Sequence, residues 1–202
     1  MLGAAIEVGC WAMGTVLTRG SWRYNISALY AQGAPRPVLV MAGEAAFAVA
    51  LSALALALHR GLPASDFRWV ASGLLALASA GALAGALARN GCEESVPSCH
   101  GSTFATAADW VHGVGGLVEI LGIAGAALVL VGVLPRPWSS WSAATASVVL
   151  GAVLLSDAVP YPWTGTAQRI MILVIVGWAA GVGAWVGSIV PAADAAREPA
   201  TS

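Results

Sequence analysis

Six ionisable side chains lie in or beside long apolar stretches, and they are the residues of this chain that could do chemistry. They are four proton-exchanging groups and two cations: Glu44, Asp109, His112, Glu119, Arg89 and Arg169. A histidine beside carboxyl groups suits general acid–base catalysis, because small changes of surroundings move its pKa across neutrality. A carboxyl group in apolar surroundings can stay protonated and act as a general acid. The residue types therefore indicate a tentative site for proton transfer.

The spacing of these residues predicts that they converge. Asp109 and His112 are three residues apart, and Glu119 follows His112 by seven, which places all three on one side of a helix. Glycines at 113, 115 and 116 make the same turn slim. Glu44 is expected about two turns inside a second apolar helix and Glu119 slightly deeper, and Arg169 is expected at the start of a third helix on the same side. We therefore expect a polar cavity formed by three helices.

A purely structural interpretation of the same residues competes with this hypothesis. Glu44 or Glu119 could form a buried ion pair with Arg169 that fixes the register of two helices. Asp109 could cap a helix, since its carboxylate accepts hydrogen bonds from the first backbone N–H groups. His112 could be a histidine at a helix end, at the level of lipid headgroups. Both interpretations remain open from the sequence.

Other chemistries have weaker support. Ser102 precedes Asp109 and His112, but three residues in one loop do not make a catalytic triad. His100, His112 and Asp109 could ligate a metal, although zinc sites need three well-placed ligands and no HExxH motif occurs. A haem held by two histidines is excluded, because His59 is expected at the opposite face from His112. We predict no metal and no cofactor, and the sequence has no P-loop, dinucleotide fingerprint or EF-hand.

The composition places these residues in a membrane. The chain has 202 residues, of which 58% are hydrophobic and 9% are charged. Soluble domains carry about 25% charged residues, so this chain lacks the polar surface to face water. Its basic residues are all arginines, without a basic cluster that could bind nucleic acid. The composition therefore predicts an integral membrane protein with lipids as its partners.

Six apolar stretches predict six transmembrane helices, since a bilayer needs about 20 apolar residues per helix. They are residues 2–18, 38–58, 69–88, 111–134, 141–156 and 170–190. Proline-rich breaks such as Pro135-Arg136-Pro137 separate them. We predict an all-α fold, a single compact bundle over residues 1–190 followed by a polar tail over 191–202.

The cysteines supply the argument for orientation, because the arginines are spread evenly over the two sides. Cys92 and Cys99 bracket a short acidic loop that suits a disulfide in an oxidising compartment, although a reduced pair or a metal half-site is an alternative. The disulfide would place this loop outside and both termini in the cytoplasm. Glu7 then falls on the cytoplasmic half, away from the other acids, and Cys10 is a packing residue.

Three segments follow one another in a characteristic order. They are residues 24–35, reading YNISALYAQGAP, then the acidic Cys loop followed by Trp110-Val111-His112-Gly113, and finally Gln168-Arg169 opening a helix with Trp178. In this order they resemble the DUF998 family of small bacterial and archaeal membrane proteins. The resemblance covers roughly residues 1–190. It implies an integral membrane protein of about six helices and no established activity. We expect the bundle in the bacterial plasma membrane. The first helix is shorter than in the family, and the loop reads Cys-Glu-Glu instead of a Cys-Asp-Pro-Gly type.

Three functions stay open on this basis. The first is a lipid-interacting protein whose polar cavity opens to the extracytoplasmic leaflet. The second is an intramembrane enzyme that acts by acid–base chemistry on a lipidic or isoprenoid substrate. The third is a non-catalytic accessory or assembly subunit whose buried charges hold the bundle together.

Overall fold

The computed structural model describes residues 2–18, 21–91, 106–155, 158–159 and 163–195, and α-helices dominate it. Within these ranges, six α-helices follow one another: α1 Leu2–Leu17, α2 Pro37–Gly61, α3 Asp66–Leu87, α4 Ala107–Val131, α5 Trp138–Leu154 and α6 Thr164–Ala195. No strand occurs in the described ranges. The predicted all-helical fold of six helices is therefore confirmed.

Capping residues explain where the helices begin. Thr106 and Asp109 form a capping box, in which each side chain accepts from the other residue's backbone N–H, so α4 begins at Ala107 and not at 111. Ser65 caps α3, accepting from the Arg68 N–H at 3.3 Å. Pro37 stands at the first position of α2, where its missing N–H costs nothing. The polar pair Gln168-Arg169, which led us to expect a later start, lies inside α6.

Consecutive helices pack side by side, and α2 also packs against α6, which closes the bundle. The largest fully buried side chains form its core: Trp178, Leu51, Leu58, Leu75, Ile123 and Leu130. Helices α3 and α4 approach most closely through glycine. A Cβ atom at Gly81 would lie 2.5 Å from the Gly115 carbonyl oxygen, and one at Gly122 would lie 2.8 Å from that of Leu74. Only glycine allows these two backbones to approach so closely.

A folded connection covers one end of the bundle. Residues 21–34, which we call the cap segment, contain the 3-10 helices Ser21–Arg23 and Ile26–Tyr30 and join α1 to α2. Its side chains at Ile26, Leu29 and Tyr30 are buried. The Gln32 N–H donates to the Asn90 carbonyl, 2.8 Å away, beyond the end of α3. This end of the molecule, where α1 and α3 finish and α2, α4 and α6 begin, is called the cap end.

Four of the helices, α2, α3, α4 and α6, are long and apolar enough to cross a membrane, and this search covers the described residues. Helices α1 and α5, expected as the first and fifth spans, are apolar but have 16 and 17 residues. Large apolar side chains point outward from the bundle, among them Leu77, Leu121 and Leu128, each 45% exposed or more. A soluble protein would bury such residues. These observations indicate a membrane-spanning protein.

Candidate functional site

Three acidic side chains from three helices meet in the cap-side half of the bundle. They are Glu7 of α1, Glu44 of α2 and Glu119 of α4, and we call them the carboxyl cluster. The Glu44 carboxyl lies within hydrogen-bonding reach of both Glu7 and Glu119. Glu7 is 1% exposed and Glu44 9% exposed. Two predicted site residues, Glu44 and Glu119, are thus brought together, as expected.

Sequence reasoning missed Glu7, which was placed on the other half of the membrane. Counted at about 1.5 Å per residue from the cap end, Glu44 lies about 10 Å down α2, Glu7 about 15 Å down α1 and Glu119 about 18 Å down α4. Glu7 is therefore at an intermediate depth. Because α1 is short, a residue near its start is still close to the middle of the bundle. Counting residues along each helix from the cap end would have placed Glu7 at the level of Glu44 and Glu119.

The carboxyl cluster can form only when some of its carboxyl groups are protonated. Two carboxylates repel each other, and a hydrogen bond between two carboxyl groups requires a proton on one of them. No arginine is among the partners that the structure gives these three acids, within the ranges it describes. The Oε2 atom of Glu7 is buried without a hydrogen-bond partner. The arrangement can therefore hold, give and take protons in apolar surroundings.

Tyr30 of the cap segment lies over the carboxyl cluster. Burial raises the pKa of its phenol well above the ordinary value, and the charges of Glu44, Glu119 and Glu7 raise it further. The tyrosine ring is 5% exposed. It contacts the ring of His112 edge-on, with 5.4 Å between the ring centroids. Tyr30 thus connects the carboxyl cluster to a predicted site residue, and sequence reasoning had not singled it out.

His112 is held at the junction of α3 and α4. Its Nδ1 atom lies 3.0 Å from each of the carbonyl oxygens of Gly85 and Ala88. Carbonyls only accept hydrogen bonds, so Nδ1 carries the proton and Nε2 has the free lone pair in the neutral ring. The side chain is half-buried. His112 is therefore oriented by the backbone, with Nε2 as the atom that can accept a proton.

Asp109 has a structural position instead. Its carboxylate accepts from the Gly91 N–H at 2.6 Å, and from the N–H and hydroxyl of Thr106, both at 2.8 Å. These bonds fasten the start of α4 to the residues after α3. The capping interpretation of Asp109 matches this geometry, although Thr106 is the N-cap and Asp109 stands three residues inside it. Its carboxylate lies on the loop side of α4, apart from the carboxyl cluster.

Arg169 pairs with neither Glu44 nor Glu119, which corrects the expectation that they converge. Its guanidinium donates to the carbonyl oxygens of Tyr24 and Gly165, both at 2.8 Å, and of Ser21 at 3.1 Å. It also donates to the Thr15 hydroxyl at 3.0 Å. We call this set the Arg169 node. Arginine has five N–H donors in a fixed plane, so it can gather several carbonyls of an irregular segment at once.

Arg89 likewise binds backbone. Its side chain donates to the carbonyl oxygens of Tyr30 at 2.9 Å and Ala31 at 2.7 Å. Both arginines that the sequence analysis named as cations of the tentative site therefore bind the backbone of the cap segment. Arg89 thus supports Tyr30 through the Tyr30 carbonyl, and neither arginine has a hydrogen bond to the carboxyl cluster among the bonds that the structure gives it.

The remaining predicted groups lie elsewhere or outside the described residues. Cys92, Cys99, His100 and Ser102 fall in the part of the chain that the structure does not describe, so the disulfide stays a prediction. Cys10 is a free, half-buried thiol that packs near Gly43. Among the described residues, no group of three His, Cys, Asp or Glu side chains could hold a metal ion.

Open space borders α4 beside the carboxyl cluster. A Cβ atom built at Gly116 would meet no heavy atom within 4 Å. Gly116 lies on the face of α4 that also carries His112, Glu119 and Ile120, whereas the lipid-facing residues Leu117 and Leu121 point the other way. Glu119 is half-buried although it is in the middle of α4. The Cβ position of Gly116 therefore faces open space on the side of α4 that carries Glu119.

The fold and this site define a class: a helical protein whose apolar helices indicate a membrane protein, with three acids that meet in its interior. The chain belongs to the DUF998 family, described as proteins of unknown function, whose family model matches residues 1–185. No curated protein and no solved structure matches it. The resemblance drawn from the short motifs is thereby confirmed.

Proposed function

We propose that this protein binds a lipidic molecule in the cap-side half of its bundle and exchanges protons with it through the carboxyl cluster. The observation that carries the proposal is the meeting of Glu7, Glu44 and Glu119, from three helices, without a cation among their partners in the described residues. Ionisable residues inside a membrane are costly and mark functional sites as a rule. A contact that served only to pack these helices together would not require three acids.

Tyr30 and His112 extend the site toward the cap end. A protonated carboxyl can donate to an oxygen of a bound molecule, and an ionised one can accept a proton from it. The oriented Nε2 atom of His112 and the phenol of Tyr30 stand between the carboxyl cluster and the cap end. They supply a route by which protons reach or leave the cluster.

The substrate class follows from the surroundings. The carboxyl cluster is enclosed by apolar helices with outward-facing leucines, so a molecule that reaches it comes most directly from the lipid phase. Acid–base chemistry on a lipidic or isoprenoid molecule, such as isomerisation or hydrolysis, suits these groups. An accessory subunit would use the same acids for stability alone, and the experiment below separates the two.

Topology forms part of the proposal. Helix α3 ends and α4 begins at the cap end, and Cys92 and Cys99 fall between these two helices in the sequence. An extracytoplasmic disulfide would therefore place the cap end, with Tyr30 and His112, on the outside of the plasma membrane. Intact mass measured before and after reduction tests this: a gain of two hydrogen masses supports the placement, and an unchanged mass contradicts it.

The test of function is native mass spectrometry of protein released gently from its own membrane. We expect a bound lipidic species on the wild type and its loss in Glu119→Gln, with Glu44→Gln as the second variant. The matched control is Asp66→Asn, the same change at an exposed acid at the other end of the bundle. Thermal unfolding should stay close to wild type in all three. A wild type without lipid, or equal lipid on Glu119→Gln, would refute the proposal.

A further inference from the structure

A cavity of about 320 Å³ lies between the cap segment, α4, α5 and α6. Its deeper wall is apolar and includes Ile120, Ala152 and Met171. Its wall at the cap end is polar and includes Asn25, Thr164 and Gln168. The volume falls at the lower end of the range of ligand-binding pockets, about 300–1,000 Å³.

The cavity and the carboxyl cluster lie on either side of one open face of α4. Ile120 lines the cavity, and Glu119, the preceding residue, belongs to the cluster. Successive residues of a helix point about 100° apart, and Gly116, one turn earlier, points between these two directions. A Cβ atom at Gly116 would have no atom within 4 Å, so α4 presents open space between the direction of Ile120 and that of Glu119.

The lining chemistry selects the ligand. Among the residues that the structure describes, those lining this cavity are all uncharged. The Gln168 side-chain oxygen accepts from the Ile26 N–H at 2.5 Å, which leaves the amide nitrogen as the donor this side chain can offer. The Thr164 hydroxyl donates to the Arg23 carbonyl at 3.2 Å and can still accept. A charged headgroup would stay unpaired here, whereas a neutral hydroxyl would find both donors and acceptors.

We infer that this cavity binds the hydroxyl end of an uncharged, single-chain amphiphile, with its chain directed along α4 past Gly116. The lipidic nature of the ligand rests on the proposed function, and the cavity adds the neutral head and the single chain. At about 30 Å³ per water-sized group, the cavity has room for roughly ten non-hydrogen atoms. A fatty or prenyl alcohol fits this size and polarity.

The experiment uses a photoreactive decanol, with a diazirine near its methyl end, added to the full chain in phosphatidylcholine nanodiscs. We expect label on peptides that contain Ile120 and Met171, competed by excess decanol but not by decyl phosphate. Gly116→Leu should lower this labelling about tenfold, because the added side chain fills the space. Gly73→Leu is the matched control, since Gly73 has an equally open Cβ position on the exposed side of α3.

Ala152→Leu narrows the same cavity from α5 and tests the inference independently should Gly116→Leu fail to fold. Label spread over lipid-facing peptides and equal in both glycine variants would overturn the inference. Competition by decyl phosphate would overturn the neutral headgroup. Glu119→Gln separates the two proposals: labelling retained in this variant supports the cavity even where proton exchange through the carboxyl cluster has failed its own test.

Discussion

The carboxyl cluster and the Arg169 node are both buried and polar, yet they solve the problem of burial in different ways. The guanidinium of Arg169 donates hydrogen bonds to the carbonyls of Ser21, Tyr24 and Gly165. The buried charge thus has acceptors, and carbonyls of the irregular cap segment have a donor. The acids have mainly one another, and the Glu7 Oε2 atom has no partner. The first arrangement holds a fold together. The carboxyl cluster, in contrast, has hydrogen-bonding and proton-exchanging capacity that the packing of the helices does not use.

The largest expected effect is on stability, from Arg169→Met. Removing the guanidinium leaves several buried carbonyls without donors, each costing about 1–3 kcal/mol, so we expect the free energy of unfolding to fall by roughly 3 kcal/mol or more. Unfolding followed by circular dichroism in mild detergent measures it. Arg60→Met, at an exposed arginine, is the control. Equal stability of the two variants would show that the node is not structural.

Gly165→Ala tests the same node by crowding it. A Cβ atom at Gly165 would collide with the carbonyl oxygens of Tyr24 and Trp22, which surround Arg169. We expect a loss of about 1–3 kcal/mol, as for other overpacked sites. Gly9→Ala, where a Cβ atom meets nothing within 4 Å, should instead be neutral or slightly stabilising. The difference between the two melting temperatures measures the effect, and its absence would contradict the close approach.

Glu44→Gln should show the opposite behaviour, a small effect on stability and a large one on reactivity. The amide keeps the size and hydrogen-bonding capacity of the acid, so we expect a change below about 1 kcal/mol. Apolar carbodiimides modify protonated carboxyls within membranes, and the intact mass should show an adduct on the wild type that Glu44→Gln lacks. Asp66→Asn should keep the adduct. An unmodified wild type would contradict proton sharing in the carboxyl cluster.

The smallest expected effect appears only in alkaline solution. Because the pKa of Tyr30 is raised in the folded state, its phenol stays protonated above pH 10, where an unfolded tyrosine ionises. The unfolded state then binds fewer protons, so stability is full below about pH 10 and falls as the pH rises further. Tyr30→Phe should weaken this fall. Melting temperatures between pH 8 and pH 11 test it, and identical slopes would remove Tyr30 from the site.

The helices could be predicted from the sequence, and their bounds less well. Apolar runs of the right length and the proline breaks between them indicate helices whatever their neighbours are. The start of α6 was placed too late because Gln168 and Arg169 are polar. Both lie inside the helix, where Gln168 bonds the Ile26 N–H and Arg169 bonds the cap segment. A polar residue indicates a helix end only when the folded bundle offers it no hydrogen-bond partner.

The sequence by itself indicated the surroundings and the elements: a chain with 9% charged residues lacks the polar surface to face water, and its long apolar stretches predict helices. It also put Glu44 and Glu119 at compatible depths. Only the tertiary structure decided which groups touch, because depth along a helix does not specify which neighbour a side chain faces. Packing of α1 against α2 places Glu7 beside Glu44. Arg169 binds the cap segment and therefore does not pair with Glu44 or Glu119. The contact partners of a buried polar side chain depend on how helices that are distant in sequence pack together. A local sequence pattern carries no information about that packing.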